Sequence, residues 1–262
     1  MVVFDGKPKK LLGQHWLNDI PSLEAITEAA GIKSSDTVLE IGPGLGALTK
    51  YLTSQAAQVI AVELDPVLVE KLPAKIPAKN LEVVQADILR FDFGSLPVGY
   101  KVVANIPYYL TSNLLRVLSE ASNPPDLMVL LVQKEVAQRV AAIPGQMSML
   151  SVSVQLYYQA KLGLVVPAKL FTPPPKVDSQ VVVLTRRPEP LFKSLDSQKF
   201  FQVVKAGFAG RRKMLRSSLS AGLQISKQEA DQLLGSAGID GNLRAQNLSL
   251  QDWFSIYRVF TV

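Results

Sequence analysis

The side chains able to do chemistry recur at one kind of place, the end of an apolar run. Val38-Leu39-Glu40-Ile41 leads into Gly42-Pro43-Gly44-Leu45-Gly46. The run 58–62 ends in Glu63, with Asp65 close behind. The run 81–84 is followed by Asp87, and Lys101-Val102-Val103-Ala104 by Asn105-Ile106-Pro107-Tyr108. Glycines between a strand and a helix let the chain turn sharply and let a ligand approach the backbone. The spacing is G-x-G-x-G, not the G-x-G-x-x-G of dinucleotide folds, and there is no Walker lysine or extended phosphate loop. Such a loop suits a nucleoside ligand without phosphates; a bare turn that binds nothing is the bland alternative.

The later strand tips favour the ligand. Glu63 lies 21 positions after Gly42, where an acid at the second strand tip accepts the two ribose hydroxyls of a nucleoside. Asp87 is placed to accept from an adenine amino group. S-adenosylmethionine is a ligand of this description. At the fourth tip, the Asn105 oxygen and the Ile106 carbonyl form an acceptor pair suited to the two N–H groups of an exocyclic amine. Tyr108 can stack on a flat base, an interaction of roughly 1–3 kcal/mol, and bases that undergo chemistry are first unstacked into such pockets. An Asn-Pro turn with a packing tyrosine is the plainer reading of the same tetrapeptide. Phe171 likewise reads either as cover for the other face of that base or as core. Lys205, Arg211, Arg212, Lys213 and Arg216 read either as phosphate contacts or as a solvated face.

The elements that position these residues follow from pattern. Residues 36–105 alternate strand and helix, which predicts a parallel sheet with right-handed crossovers. A helix over 21–30 has Asp19 or Ser22 as cap and Gly31 as stop. A short helix from Pro66 is expected to end at Pro73. A helix over 111–121, an apolar strand over 126–132 and a helix over 133–140 come next; 150–158 is compatible with helix or strand. Strands are expected at 161–166 and 180–187, separated by Phe171-Thr172-Pro173-Pro174-Pro175-Lys176-Val177-Asp178-Ser179, whose prolines force an extended loop. The composition then shifts. Helices are expected at 197–208, 211–221, 226–235 and 250–260, with Gly222 and Gly238 as stops. The expected domains are 1–187, an α/β Rossmann-like ligand-binding domain, and 188–262, a small all-α domain. The latter holds 10 Lys and Arg against 6 Asp and Glu, or +4 of the net +6.

With 262 residues, 48% apolar, the chain can bury a sizeable core. Its basic balance favours an anionic partner. The absence of cysteine excludes disulfides, thiolate zinc sites and cysteine nucleophiles, and the single His excludes a His-His metal site. No apolar run approaches the roughly 18 residues of a membrane span, and the first residues are too short for a signal peptide. A soluble cytoplasmic monomer without a metal is expected.

Taken together, these residues resemble one family, the ribosomal RNA adenine dimethyltransferases of the small subunit. The resemblance runs from Leu12 to Phe260. It rests on Gly13-Gln14-His15-Trp16-Leu17, Glu40-Ile41-Gly42-Pro43-Gly44, Asn105-Ile106-Pro107-Tyr108, Gln133-Lys134-Glu135-Val136, the 171–179 block, Arg211-Arg212-Lys213 and Arg244-Ala245-Gln246-Asn247-Leu248-Ser249. It implies a methyltransferase fold and transfer of two methyl groups from S-adenosylmethionine to each of two adjacent adenosines near the 3′ end of 16S rRNA, in the small subunit or its precursor. It implies that His15, Leu17, Gly42, Gly44, Glu63, Asp87 and Asn105 line the cofactor, that Asn105, Tyr108 and Phe171 hold the target base, and that the helical domain binds RNA. Trp16 stands where Phe is usual, Gln246 where Glu is usual, and the 144–150 loop is short. The rivals are a resistance-type methyltransferase of large-subunit (23S) rRNA, a non-catalytic RNA-binding assembly or transcription factor, and a small-molecule methyltransferase, which would not need a basic helical domain.

Overall fold

A computed structural model describes residues 13–210 and 212–261, in two compact units, Met1–Gln138 with Tyr158–Arg186 and Arg139–Tyr157 with Arg187–Val262. The first unit is α/β, as expected. Its strands β2 (Thr37–Ile41), β3 (Gln58–Glu63), β4 (Leu81–Gln85), β5 (Lys101–Asn105), β6 (Leu127–Gln133), β7 (Tyr158–Val166) and β9 (Ser179–Arg186) form one sheet in the order β4-β3-β2-β5-β6-β9-β7. The five strands from β4 to β6 are parallel; β9 runs antiparallel to both of its neighbours. A two-stranded ribbon, β1 (Trp16–Leu17) with β8 (Phe171–Thr172), stands apart from this sheet.

The inner strands are near-continuous apolar runs because both faces are covered, and Met128 through Val132 in β6 have no exposed surface. Helix α1 (Ile20–Ala30) starts where Asp19 accepts from the Ser22 amide, with Pro21 in its first turn. It stops at Gly31, in the left-handed region at φ 48°. Helix α2 (Thr49–Thr53) follows the glycine loop. Helix α3 (Pro66–Lys75) does not end at Pro73 but runs through it. Pro73 is exposed and lies three positions before the cap residue Ile76, so only one hydrogen bond of the last turn is lost. Helix α4 (Thr111–Glu120) follows β5, and α5 (Lys134–Val140) follows β6.

The strand order reverses at β2 and β5, whose carboxyl ends lie side by side with Glu40 opposite Val103. Open α/β sheets bind ligands in the crevice at such a switch point. The glycine loop leaves β2 there, and the Asn105 tetrapeptide leaves β5 there.

The second unit is helical: α6 (Met149–Gln155), α7 (Ser197–Phe208), α8 (Leu215–Leu223), α9 (Lys227–Ser236) and α10 (Leu250–Phe260). It takes in Arg139–Tyr157, which the sequence reading assigns to the first domain. The 150–158 run resolves as a helix capped by Ser148, and strand begins only at Tyr158. Ala142, Met147, Val152 and Leu156 share a core with Phe200, Leu219, Leu248 and Trp253. The Gln246 carbonyl accepts from the Gly145 and Met147 amides, at 2.8 and 3.1 Å. Helix α8 begins four residues later than expected and runs through Gly222; its left-handed cap is Gln224, φ 58°. Gly222 serves close approach instead, since a Cβ there would lie 2.5 Å from the Ala206 Cα on α7. Backbone on both sides cannot yield, so Gly222→Ala is expected to destabilise the protein by about 1–3 kcal/mol in urea unfolding. An unchanged midpoint would contradict this packing.

Candidate active site

The first unit contains a cavity of about 310 Å³ at the switch point. Its walls come from the segment 13–17, the glycine loop, the tips of β3 and β4, and residues 105–110. All seven cofactor candidates of the sequence reading line it: His15, Leu17, Gly42, Gly44, Glu63, Asp87 and Asn105. Tyr108 does too. Phe171 does not. It is 2% exposed and packed among Leu17, Leu23 and Val181, because its strand pairs with Trp16–Leu17 and holds the ring in the core. The core reading of Phe171 is the one the fold adopts.

The three glycines have different duties. Gly42, Gly44 and Gly46 all have positive φ, 65°, 56° and 78°. A Cβ on Gly46 would come within 2.7 Å of Leu72 Cδ1, so this glycine lets α3 pack on the loop. A Cβ on Gly44 would meet the Trp16 ring at 3.2 Å. Around Gly42 the nearest atom is 3.8 Å away, so only its conformation demands glycine.

Glu63 ties the loop to the second strand tip. One carboxylate oxygen accepts from the Leu64 and Asp65 amides at 2.8 and 2.9 Å, the other from the Gly44 amide at 3.3 Å. Burial raises its pKa, and these backbone donors oppose the rise. A carboxylate offers about four acceptor positions, so one stays open for a ribose hydroxyl. Asp87 caps the turn Ile88–Arg90, accepting from the Leu89 amide at 3.0 Å.

The segment before α1 closes over this edge. Gln14 Nε2 donates to Asp65 Oδ2 at 3.4 Å. The His15 carbonyl accepts from Asn105 Nδ2 at 3.1 Å. That bond fixes which end of the Asn105 amide is held, the nitrogen on the His15 carbonyl, in a residue that lines the cavity. His15 Nδ1 donates to the Pro173 carbonyl at 2.7 Å, and the Tyr108 hydroxyl lies 2.8 Å from Ser179 Oγ.

Glu40 is the acid among the lining residues that the sequence reading passed over as a site residue. The signal was available: an acid inside an apolar strand, two places before the first glycine. It is 1% exposed, and its Oε2 has no hydrogen-bond partner among the described residues. Burial pushes its carboxyl up to about 8, with the Glu63 carboxylate adding to the rise. The Thr49 hydroxyl opposes it without forming a well-made hydrogen bond. A mostly apolar cavity with two buried acids, one unpartnered, fits a nucleoside that carries a cationic group.

In the second unit Lys205 lies in the last turn of α7, Arg212 and Lys213 are exposed before α8, and Arg216 is half-buried in its first turn. Arg211 lies outside the described residues. Among the described residues, no group of three or more acids or histidines is placed to hold a metal ion.

Comparison with known proteins agrees with this geometry. The family model for ribosomal RNA adenine dimethylase matches residues 6–261. A ribosomal RNA small subunit methyltransferase A from Dehalococcoides mccartyi is 43% identical over 259 residues, covering 97% of this chain and 89% of that protein. One from Crocosphaera subtropica is 40% identical over 272 residues, covering 97% and 99%. The crystal structure of the 23S rRNA methyltransferase ErmE aligns at TM-score 0.77 and 29% identity, over 94% of this chain and 100% of that one. A dimethyladenosine transferase from Plasmodium falciparum aligns at TM-score 0.78 and 27% identity, over 92% and 96%. Sheet order, glycine loop and acid-tipped strands define an S-adenosylmethionine-dependent methyltransferase. Within that class the chain belongs to the ribosomal RNA adenine dimethylase family. It is an enzyme, and the resemblance read from its motifs is borne out.

Glu40 makes stability depend on pH. Its folded pKa of about 8 exceeds the ordinary 4.5, so the unfolded chain loses this proton first. The carboxyl therefore withdraws stability as pH climbs from the mid-4s to about 8. Glu40→Gln is expected to match the wild type near pH 4, to exceed it increasingly up to about pH 8, and to keep a constant lead above that in urea unfolding. Parallel pH curves would contradict the burial of an ionisable group there.

Proposed function

We propose that this protein transfers methyl groups from S-adenosylmethionine to N6 of two adjacent adenosines near the 3′ end of small-subunit (16S) rRNA, within the subunit or its precursor. One observation carries the reading. The donor end of the Asn105 amide is held by the His15 carbonyl, which leaves Oδ1 as an acceptor beside Ile106 at the cavity.

When bound, the sulfonium supplies an electrophilic methyl group. The protein's share is to place the nitrogen in line with it. Asn105 Oδ1 and the Ile106 carbonyl accept the two N–H groups of the adenine amine, and Tyr108 stacks on the ring. Acceptors on both hydrogens draw the nitrogen toward a tetrahedral shape and make its lone pair available. Positioning and fixed dipoles of this kind account for large rate effects without a general base. Glu63 accepts from the ribose, Asp87 from the adenine of the donor, and Gly42, Gly44, His15 and Leu17 shape the cradle. Glu40, buried and unpartnered, faces the cationic end. Phe171 supports this pocket from the core rather than as its wall.

Lys205, Arg211, Arg212, Lys213 and Arg216 are assigned to rRNA phosphates. None of the four that are described forms a salt bridge among the described residues. No helix among the described residues is long and apolar enough to cross a membrane. A monomer acting in the cytoplasm completes the proposal.

Labelled S-adenosylmethionine, offered with small subunits lacking the modification and separately with protein-free large-subunit rRNA, tests the substrate. Dimethyladenosine in the 3′ hairpin of the small-subunit rRNA is expected. Label in the large-subunit rRNA alone would overturn the assignment, and no label with cofactor still bound would favour a binding factor. Replacing Arg212, Lys213 and Arg216 with Ala is expected to weaken rRNA binding at low salt. It should also flatten the logarithmic salt dependence by roughly 0.7–0.9 for each phosphate no longer neutralised. An unchanged slope would place the RNA-binding surface elsewhere.

A further inference from the structure

The 171–179 block is long and specific, yet its aromatic residue is core. What it brings to the cavity sits elsewhere in the block. The Pro173 carbonyl accepts from His15 Nδ1 at 2.7 Å, and Ser179 Oγ lies 2.8 Å from the Tyr108 hydroxyl. The His15 and Tyr108 rings are stacked, with centroids 5.6 Å apart and planes 20° from parallel. Two rings at the cavity are thus each held at the edge by one segment.

Ser179 is a fixed point. It is the first residue of β9, has no exposed surface, and is registered against Gln133 on one side and Val166 on the other. Its neighbour Asp178 is tied down as well. The Asp178 carbonyl accepts from the Lys134 amide at 3.0 Å, and its Oδ1 accepts from the Ala168 amide at 2.9 Å. Tyr108, by contrast, opens a single 3-10 turn, Tyr108–Leu110, in which no residue is buried. The χ2 torsion of a tyrosine is broad, so rotamer preference alone does not set the plane of the ring. The turn, with no buried residue, does little to set it, and the stacked His15 ring, itself held by the Pro173 carbonyl, bears on one face of the ring, while the hydroxyl contact fixes its far edge.

We propose that Ser179 is a positioning residue for methyl transfer: its hydroxyl, bonded to that of Tyr108, sets the plane on which the target adenine stacks. This rests on the reading of Tyr108 as the stacking platform. A base held at the wrong tilt still binds through its other contacts, but its amine leaves the line of attack, so the effect falls on kcat rather than on KM.

Steady-state kinetics with unmethylated small subunits test this in four variants. Ser179→Ala and Tyr108→Phe remove the same hydrogen bond from opposite ends. Each is expected to lower kcat about 3- to 10-fold, the size of one net hydrogen bond. KM for the small subunit, like that for S-adenosylmethionine, should not change, and the double variant should be no slower than the slower single one. Tyr108→Phe reads the bond even if Ser179→Ala fails to fold. Full kcat in Tyr108→Phe, or losses that multiply in the double variant, would overturn the proposal. Tyr108→Ala keeps the two readings apart. If it is far slower than wild type while Tyr108→Phe is not, the platform stands and Ser179 has no part in it. If Tyr108→Ala turns over at the wild-type rate, the platform reading itself fails, and the proposal with it.

Discussion

The hydrogen bond from Asn105 Nδ2 to the His15 carbonyl is the interaction on which the site depends. An asparagine amide carries donors at one end and acceptors at the other. Free to flip, it would present either. Anchored through one N–H of its donor end, it cannot exchange the places of nitrogen and oxygen, so Oδ1 stays an acceptor, and an acceptor is what an exocyclic amine requires. The bond spans 90 positions of sequence. It therefore needs the 13–17 segment to lie across the carboxyl edge of the sheet. The ribbon with Phe171–Thr172, the Gln14 contact to Asp65 and the Trp16 ring over Gly44 hold it there.

The same edge carries an electrostatic constraint. Glu40 and Glu63 are both buried, and each is raised above the ordinary carboxylate range. Glu63 is compensated by three backbone donors, Glu40 is not. Replacing a buried, unpartnered carboxylate by an isosteric neutral group relieves a desolvation cost. Its retention makes sense where a cation arrives to complete the site. The burial that keeps the Glu40 carboxyl protonated up to about pH 8 in the free protein also strengthens its attraction for a positive group whose arrival favours the ionised form.

Much of this edge was legible in the sequence because strand tips are local features. An apolar run followed by Gly, Glu, Asp or Asn places each polar residue at a carboxyl end, and parallel order brings those ends together. The structure gathers the five strand-tip candidates, Gly42, Gly44, Glu63, Asp87 and Asn105, accordingly, and His15 and Leu17, which only the family resemblance suggested, join them. What was not legible depends on distant partners. Phe171 is core because its strand pairs with one 155 positions earlier. Gly222 reads as a stop until Ala206 is seen against it. Pro73 reads as a helix end, yet the exposed last turn of α3 accommodates it. Residues 139–157 lie amid the α/β pattern but join the helical core through Gln246. That link uses the backbone carbonyl, so a Gln where the family usually has Glu leaves it intact.

The most direct test of the anchored amide is Asn105→Asp, with cofactor affinity and methyl transfer measured side by side. Aspartate keeps the shape and the acceptor oxygens, loses the donor to His15, and adds a charge near two buried acids. Transfer is expected to fall by about 10²–10³, the usual cost of losing one preorganised hydrogen-bonding group, with a smaller loss of cofactor affinity. Transfer at the wild-type rate would show that the amide needs no anchor and would contradict the central claim.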